Sequence, residues 1–280
     1  MQVGLNKLPF GLLPYFGNAF FEGLGNVIGL EDIANMGVKY IQQQGDWNLQ
    51  LAYYVGPASQ GEGTSRGGRT YATSVATADG YVVDGSDNHE KDILVGRLAR
   101  NIELGGWKSE IGVSALTSSL ENQDTGDSGR RNALALHYAG KRGQWGVQAQ
   151  AARQDMSPKN PGNDDVVTFG SFDGTFNVAA KGNLYVTDLS YDIPGSVGWL
   201  TGMKVYGNYS MFDKDERDFA DSQRFILGTS FSLKSIYVAV EWLHGKNDNY
   251  IGGSSYTQSL GAGGTNQWEN QLYTNIGYYF

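Results

Sequence analysis

The chain has 280 residues with 40 glycines, roughly twice average usage, and no cysteine, which excludes a disulfide framework and a cysteine metal site. Its formal net charge of −8 argues against nucleic acid as a partner. Charged residues make up only 18% of the chain, and no run approaches the roughly 18 consecutive apolar residues of a transmembrane helix.

Alternation with a period of two recurs along the whole chain and predicts strands rather than helices. In the run at 236–242, Ile236, Val238 and Val240 share one face, whereas Tyr237, Ala239 and Glu241 share the other. The pattern predicts twelve strands, at residues 2–8, 34–43, 46–55, 92–102, 107–117, 131–141, 144–153, 183–193, 201–211, 222–233, 235–244 and 267–280.

The connections between these strands alternate in length. Short turns at 44–45, 105–106, 142–143 and 234–235 are interspersed with long polar stretches at 56–91, 118–130, 154–182 and 245–266. This alternation is typical of a transmembrane antiparallel β-barrel with short turns at one end and long loops at the other. The predicted fold class is therefore all-β, with about twelve strands in a single domain over residues 1–280.

A soluble β-sandwich would also alternate, but three features argue against it. The second face of the predicted strands is small and polar, as expected of residues that line water. The strands, at about 9–11 residues, suit a tilted membrane crossing better than the soluble average of about 5–6. Aromatic residues also lie at strand ends, as in the belts at lipid interfaces: Trp47, Tyr53, Trp107, Trp145, Trp242, Tyr278 and Phe280.

Parity along each strand assigns side chains to the lumen, although a β-bulge would reverse every assignment beyond it. The charged or titratable residues predicted to line the pore are Lys39, Arg97, Lys108, Glu110, Arg131, His137, Asp188, Lys204, Arg224, Glu241 and Glu269. Acidic residues are instead concentrated in the loops, among them Asp84, Glu90, Glu121 and Asp213. We predict weak anion preference deep in the channel beneath an acidic mouth. The alternative is that these charges only solvate the wall and pair across strands.

Several short stretches resemble the phosphate-selective porin O/P family of bacterial outer-membrane proteins. They are GLNKLPFG at 4–11, GLED at 29–32, MGVKY at 36–40, WLHGKN at 242–247 and the terminal NIGYYF at 275–280. The terminal phenylalanine is similar to the signal for barrel insertion into that membrane. The chain resembles the C-terminal two-thirds to three-quarters of such a porin, so its strands form either a twelve-stranded barrel or part of a sixteen-stranded one.

The resemblance implies an integral outer-membrane porin through which small polar or anionic solutes diffuse passively. It also implies a homotrimer in contact with outer-membrane lipid and lipopolysaccharide, and no cofactor. Phosphate selectivity is not carried over, because the dense arginine and lysine ladders of the family are missing.

The segment 9–33 is long and apolar, and exposed it would be an aggregation hazard. Its aromatic residues include Phe10, Tyr15, Phe16, Phe20 and Phe21. Two interpretations remain open. The segment folds into the barrel and narrows the pore, as the resemblance implies for a constriction loop, or it packs against a neighbouring subunit.

Two other classes of function are weaker alternatives. An outer-membrane enzyme needs a base beside a nucleophile, and the neighbours of His137 on its own face are Ala135 and Ala139. An adhesive or structural barrel would need aromatic anchors in its loops. Loop 56–91 is instead rich in Gly, Ser, Thr and Asp, with only Tyr71 and Tyr81 as aromatic residues. Its glycine-rich stretch 61–68 lacks the spacing of a phosphate-binding loop. No catalytic, cofactor or metal residue is predicted, although oxygen-rich loops at 124–129 and 160–165 leave surface Ca²⁺ as a minor alternative.

Overall fold

The computed structural model describes residues 1–58, 72–76, 82, 85–171, 174–251 and 255–280. Its strands are β1 (Gln2–Lys7), β2 (Ala34–Gln44), β3 (Trp47–Pro57), β4 (Ser74–Val75), β5 (Asn88–Leu104), β6 (Trp107–Asn122), β7 (Ser128–Arg142), β8 (Trp145–Ser157), β9 (Val166–Ser171), β10 (Gly174–Ala179), β11 (Lys181–Asp192), β12 (Leu200–Lys214), β13 (Ser222–Leu233), β14 (Ile236–Lys246) and β15 (Trp268–Tyr278). One short helix, α1 (Leu24–Val27), lies in the segment 9–33. None of the described helical residues forms a helix long and apolar enough to span a membrane.

Twelve of the described strands form one antiparallel sheet in the order β1-β2-β3-β5-β6-β7-β8-β11-β12-β13-β14-β15. These are the twelve strands that the alternation predicts, so the all-β antiparallel architecture is confirmed. Several of the strands extend further towards the long loops than predicted. For example, β5 begins at Asn88 rather than at 92, and β6 continues to Asn122 rather than to 117.

The two faces of the sheet differ as the sequence predicts. One face exposes large apolar side chains, including Leu51, Leu134, Leu136, Leu189, Leu272 and Ile276. Aromatic side chains near strand ends are also exposed on it, among them Trp47, Trp145, Trp242 and Tyr278. The opposite face carries buried small and polar residues such as Ser114, Gln150 and Asn208. We call this second face the polar face.

The sheet is not a closed ring in this structure. Strands β1 and β15 stand at its two edges, and within the described residues each pairs with one neighbour, β2 and β14 respectively. Their outer backbone N–H and C=O groups therefore lack a partner strand in the described part of the chain, which a hydrocarbon environment does not tolerate.

A β-bulge in β5, between Lys91 and Leu94, corrects one assignment made from sequence. The sequence pattern assigns Glu90 to an acidic loop, but this residue lies in β5 and is buried. Because the bulge reverses the parity, Glu90 shares the polar face with Arg97. Glu121 and Asp213 also lie in strands rather than loops. Asp84 and the stretch 61–68 lie outside the described residues.

The long polar stretches contain a second sheet that the sequence pattern did not predict. Strands β4, β9 and β10 form a three-stranded antiparallel sheet from two different loops. Val167, Phe169, Phe176 and Val178 are fully buried in it, and Phe176 packs edge-on against Tyr250 and Tyr256 of the last long loop. The prediction of a polar loop throughout 154–182 was therefore wrong, because these short apolar runs pair with each other.

Candidate functional site

Segment 9–33 lies against the polar face of the sheet and is held there by side chains of the strands. The backbone N–H groups of Gly11, Leu12 and Leu24 donate to Ser114 Oγ (3.0 Å), Gln150 Oε1 (2.8 Å) and Ser210 Oγ (2.9 Å), respectively. In all, eight strands of the described sheet, from β5 to β14, form hydrogen bonds between their side chains and the backbone of the segment. Each bond provides a partner for a buried or partly buried backbone group of the segment, which would be costly to desolvate without one.

Two of the predicted pore-lining carboxylates accept hydrogen bonds from this segment. Asp188 accepts from the backbone N–H of Asn18 at 2.9 Å. Glu241, which is 0% exposed, accepts from the N–H groups of Phe20 (2.6 Å) and Phe21 (2.9 Å). Tyr206 also donates its hydroxyl to Glu241 at 2.6 Å. The two carboxylates therefore accept hydrogen bonds from backbone N–H groups of segment 9–33 that are not part of a strand.

Two of the predicted arginines bind the carbonyl groups of the same segment. Arg131 Nη2 donates to Gly29 O at 2.6 Å, and Arg224 Nη1 donates to Gly23 O at 3.2 Å. Both arginines are buried and paired, Arg131 with Glu90 (3.3 Å) and Arg224 with Asp248 (2.6 Å). The positive charges are thus neutralised locally.

Arg97, Glu110 and His137 form a cluster across β5, β6 and β7. Arg97 Nη2 lies 2.5 Å from Glu110 Oε1 and 3.0 Å from His137 Nε2, and its Nε donates to Gly11 O at 2.8 Å. His137 Nε2 is also 3.2 Å from Glu110 Oε1. Neither of these two neighbours is a serine, threonine or cysteine, so the contacts give His137 no hydroxyl or thiol to activate.

The other predicted pore-lining residues have separate surroundings. Lys39 donates to Lys7 O at 2.7 Å, and Lys204 donates to Asn18 Oδ1 at 2.7 Å. Lys108 is exposed near a short turn, and Glu269 is half-buried on β15. Of the eleven predicted residues, seven are buried: Lys39, Arg97, Arg131, His137, Asp188, Arg224 and Glu241. Parity along the strands predicts the face of a side chain, but it does not predict that segment 9–33 and the loops bury these seven side chains.

Two cavities lined by described residues remain beside the segment. The smaller, about 740 Å³, lies near the short turns and is lined by Lys108, Glu110, Lys141 and Asp192 among others. The larger, about 1250 Å³, runs from the turn residues Lys234 and Ser235 to Arg224 and Tyr250. Asn18 and Lys204 line both cavities, so their side-chain hydrogen bond marks the place where the two meet.

The five aromatic residues predicted for a constriction loop divide into two groups. Phe10 and Phe16 are buried in the main apolar core with Leu12, Leu24 and Ile28. Tyr15, Phe20 and Phe21 instead line the larger cavity. The first group anchors the segment and the second presents aromatic surface to the cavity, a division that the composition of the segment could not give.

Sequence reasoning missed the polar residues inside the apolar segment, namely Asn18, Glu22, Glu31 and Asp32. Their signal was their isolation, because a polar side chain in an apolar segment needs a partner when the segment is buried. Glu31 is buried and accepts from Phe16 N at 2.5 Å. Burial and the neighbouring charge of Glu22 raise the pKa of Glu31 well above its usual range.

We expect the segment to respond to pH through Glu22, which lies in 9–33 outside the strands. Burial and the charge of Asp32 raise the pKa of Glu22 to about 7 from 4.5. Because the pKa of Glu22 is raised in the folded state, the protonated side chain contributes to stability. This contribution is fully present below about pH 4.5 and is lost as the pH rises through about 7. The free energy of unfolding should therefore fall between about pH 5 and about pH 8, measured by urea titration in lipid vesicles.

The Glu22→Gln variant should show a smaller fall over the same range, since Gln stays neutral and keeps an oxygen for Asn26 Nδ2, which donates to Glu22 at 2.6 Å. The exposed Asp218→Asn is the matched control and should follow the unmodified protein. An unchanged pH profile in Glu22→Gln would contradict the assignment.

Among the residues that the structure describes, no group of three or more His, Asp or Glu side chains is arranged to hold a metal ion. No protein-family model matches the sequence, and no curated protein sequence matches it either.

The fold is similar to solved structures of outer-membrane channels. The outer membrane channel DcaP of Acinetobacter baumannii superposes with a TM-score of 0.59 at 12% identity, covering 99% of this chain and 71% of that one. The anion-selective porin from Comamonas acidovorans superposes with a TM-score of 0.54 at 14% identity, covering 91% of this chain and 64% of that one. The chain thus spans about two-thirds of the length of each, and the prediction of an outer-membrane porin fold is confirmed.

Proposed function

We propose that this protein is an integral outer-membrane channel through which small polar or anionic solutes diffuse passively. The apolar exposed face suits contact with lipid, and the polar face suits contact with water. The observation that carries the proposal is the larger cavity, which runs beside segment 9–33 from the short-turn end of the sheet to Tyr250 in a long loop. The porin fold of the chain supports the same function.

In this proposal segment 9–33 is the constriction. Its hydrogen bonds to eight described strands of its own sheet favour this role over packing against a neighbouring subunit. We place the narrowing at Phe20 and Phe21, which line the larger cavity. A homotrimer and contact with lipopolysaccharide remain proposals that rest on the resemblance.

The proposal also requires the edges of the sheet to be closed in the membrane. Unpaired backbone groups along β1 and β15 are expensive in hydrocarbon, so the two edges must pair with each other or with further strands. Heat-modifiable migration of the folded protein in detergent, measured by gel electrophoresis, would indicate a closed barrel.

We expect ion selectivity to depend on Lys204, which lines both cavities. Planar-bilayer recordings under a KCl gradient should give discrete steps with a reversal potential on the anion side. Lys204→Glu should move that potential towards cation preference, because a charge at a narrow place sets the local potential.

Lys91→Glu is the control. Lys91 follows Glu90 in β5, so it lies on the opposite face of the strand, and it pairs with Glu121 at 2.7 Å. An equal shift in both variants would show that the effect is not local. Arg97 and Arg131, which the sequence also predicts to line the pore, are poorer targets for this test because both are buried under the segment.

An enzyme and an adhesive barrel remain the alternatives. Protein that is folded and heat-modifiable but gives no conductance steps would count against the channel and in favour of these alternatives. The contacts of His137 with Arg97 and Glu110 favour a structural role for the one strand histidine considered as a base.

A further inference from the structure

The larger cavity has one wall made of a continuous row of aromatic rings. Successive ring centroids lie 6.5 Å apart for Tyr279 and Tyr237, and 6.1 Å apart for Tyr237 and Phe20. The row continues through Tyr273, 6.4 Å from Phe20, to Phe21, 5.1 Å further on. The aromatic rings therefore follow the cavity from a short turn to Arg224, whose guanidinium lies 5.0 Å from the Phe21 ring.

This row comes from three parts of the chain. Phe20 and Phe21 belong to segment 9–33, Tyr237 to β14, and Tyr273 and Tyr279 to β15 and the residue directly after it. Phe20 is 39% exposed although it lies in a segment that is otherwise largely buried. Exposed rings that face one cavity from separate elements form a binding platform for a flat solute.

The polar groups around the same cavity include hydroxyls and charges of both signs. Ser230, Ser232 and Ser235 supply hydroxyls. The charged side chains include two positive ones, Lys204 and Lys234, and two negative ones, Glu22 and Asp32. The positive charge of Arg224 is matched by Asp248 at 2.6 Å. The cavity therefore carries no strong excess charge that would select an anion over a neutral solute.

We propose that the larger cavity binds neutral pyranose sugars, whose rings stack on the aromatic row while their hydroxyls bond to the polar groups. The C–H face of a pyranose is weakly positive and is attracted to the negative face of an aromatic ring. The mixed donors and acceptors suit hydroxyl groups, which both donate and accept. This inference rests on the proposed channel function, since it names the class of solute that would use the same cavity.

The direct test is isothermal titration calorimetry of the full, detergent-solubilised protein with maltohexaose. We expect saturable binding that Phe20→Ala and Tyr237→Ala each weaken about fivefold to tenfold, the loss expected for one stacked ring. Phe20→Trp should restore binding. The backbone N–H of residue 20 still reaches Glu241 in these variants, so the segment should stay in place.

Tyr185→Ala is the matched control. Tyr185 is an exposed tyrosine of β11 on the apolar face of the sheet, away from the cavity, so its replacement should not affect binding. Absence of maltohexaose binding, binding insensitive to Phe20→Ala and Tyr237→Ala, or tighter binding of benzoate than of maltohexaose would each overturn the inference.

Bilayer recordings separate this outcome from that of the channel itself. Conductance steps without sugar binding would support the channel and overturn the sugar site. Sugar binding that depends on Phe20, in protein that gives no conductance, would support the sugar site while the channel proposal fails. Steps that maltohexaose blocks in the unmodified protein but not in Phe20→Ala would support both.

Discussion

Replacing Glu241 with alanine should release Phe20 and Phe21 of segment 9–33 from β14 and raise the single-channel conductance severalfold. The carboxylate is 0% exposed and accepts from the N–H groups of Phe20 and Phe21 and from the hydroxyl of Tyr206. Each buried donor left without a partner costs roughly 1–3 kcal/mol. The variant should therefore lose about 3–5 kcal/mol of unfolding free energy, given that such losses are not additive.

Planar-bilayer recording measures the conductance, and urea titration in lipid vesicles measures the stability. Glu269→Gln is the matched control, because Glu269 is a half-buried glutamate of the neighbouring strand β15 and should change neither quantity much. A folded Glu241→Ala protein with unchanged conductance would show that the segment does not limit the passage.

Breaking the ion pair of Arg224 and Asp248 should also cause a large loss of stability. The two side chains are 1% and 0% exposed, and Arg224 donates through Nε at 2.6 Å and Nη2 at 2.8 Å. Arg224→Met leaves the carboxylate buried without its counter-charge, which costs about 3–5 kcal/mol. It also removes the donors to the carbonyls of Glu22 and Gly23.

The double variant Arg224→Met with Asp248→Asn should recover a substantial part of this loss, because no buried charge remains. The introduced asparagine would still offer an oxygen to the N–H of Tyr250, which donates to Asp248 at 2.9 Å in the unmodified protein. Unfolding free energies of both single variants and the double variant complete the cycle. Additive losses would show that the two side chains are not energetically coupled.

The sequence was sufficient to predict the twelve strands of the main sheet and their two faces. A lipid-facing strand must present an apolar side chain at every second position, so the alternation is written locally in each run, as at Ile236 to Val240. The twelve predicted strands correspond to the twelve strands of the main sheet, and the parity of Arg131, Asp188 and Arg224 places them on its polar face.

The alternation does not predict where the strands end or that the smaller sheet forms. The bulge that brings Glu90 beside Arg131 depends on pairing between β5 and β6, not on local alternation. Strand β4 has only two residues, and β9 and β10 are buried on both faces, so none of the three shows an alternation of exposed polar and buried apolar residues. They are stabilised by burial of Phe169 and Phe176 among loops distant in sequence.

The local pattern of residues thus establishes an antiparallel membrane sheet with one apolar and one polar face, and an apolar segment at 9–33 in need of a partner. The identity of that partner emerges only in the folded chain, because the bonds of Leu12 to Gln150 and of Phe20 to Glu241 join residues 138 and 221 positions apart. Contacts at such separations leave no local periodic signal. They arise because buried N–H and C=O groups of the segment must find partners wherever the folded sheet supplies them.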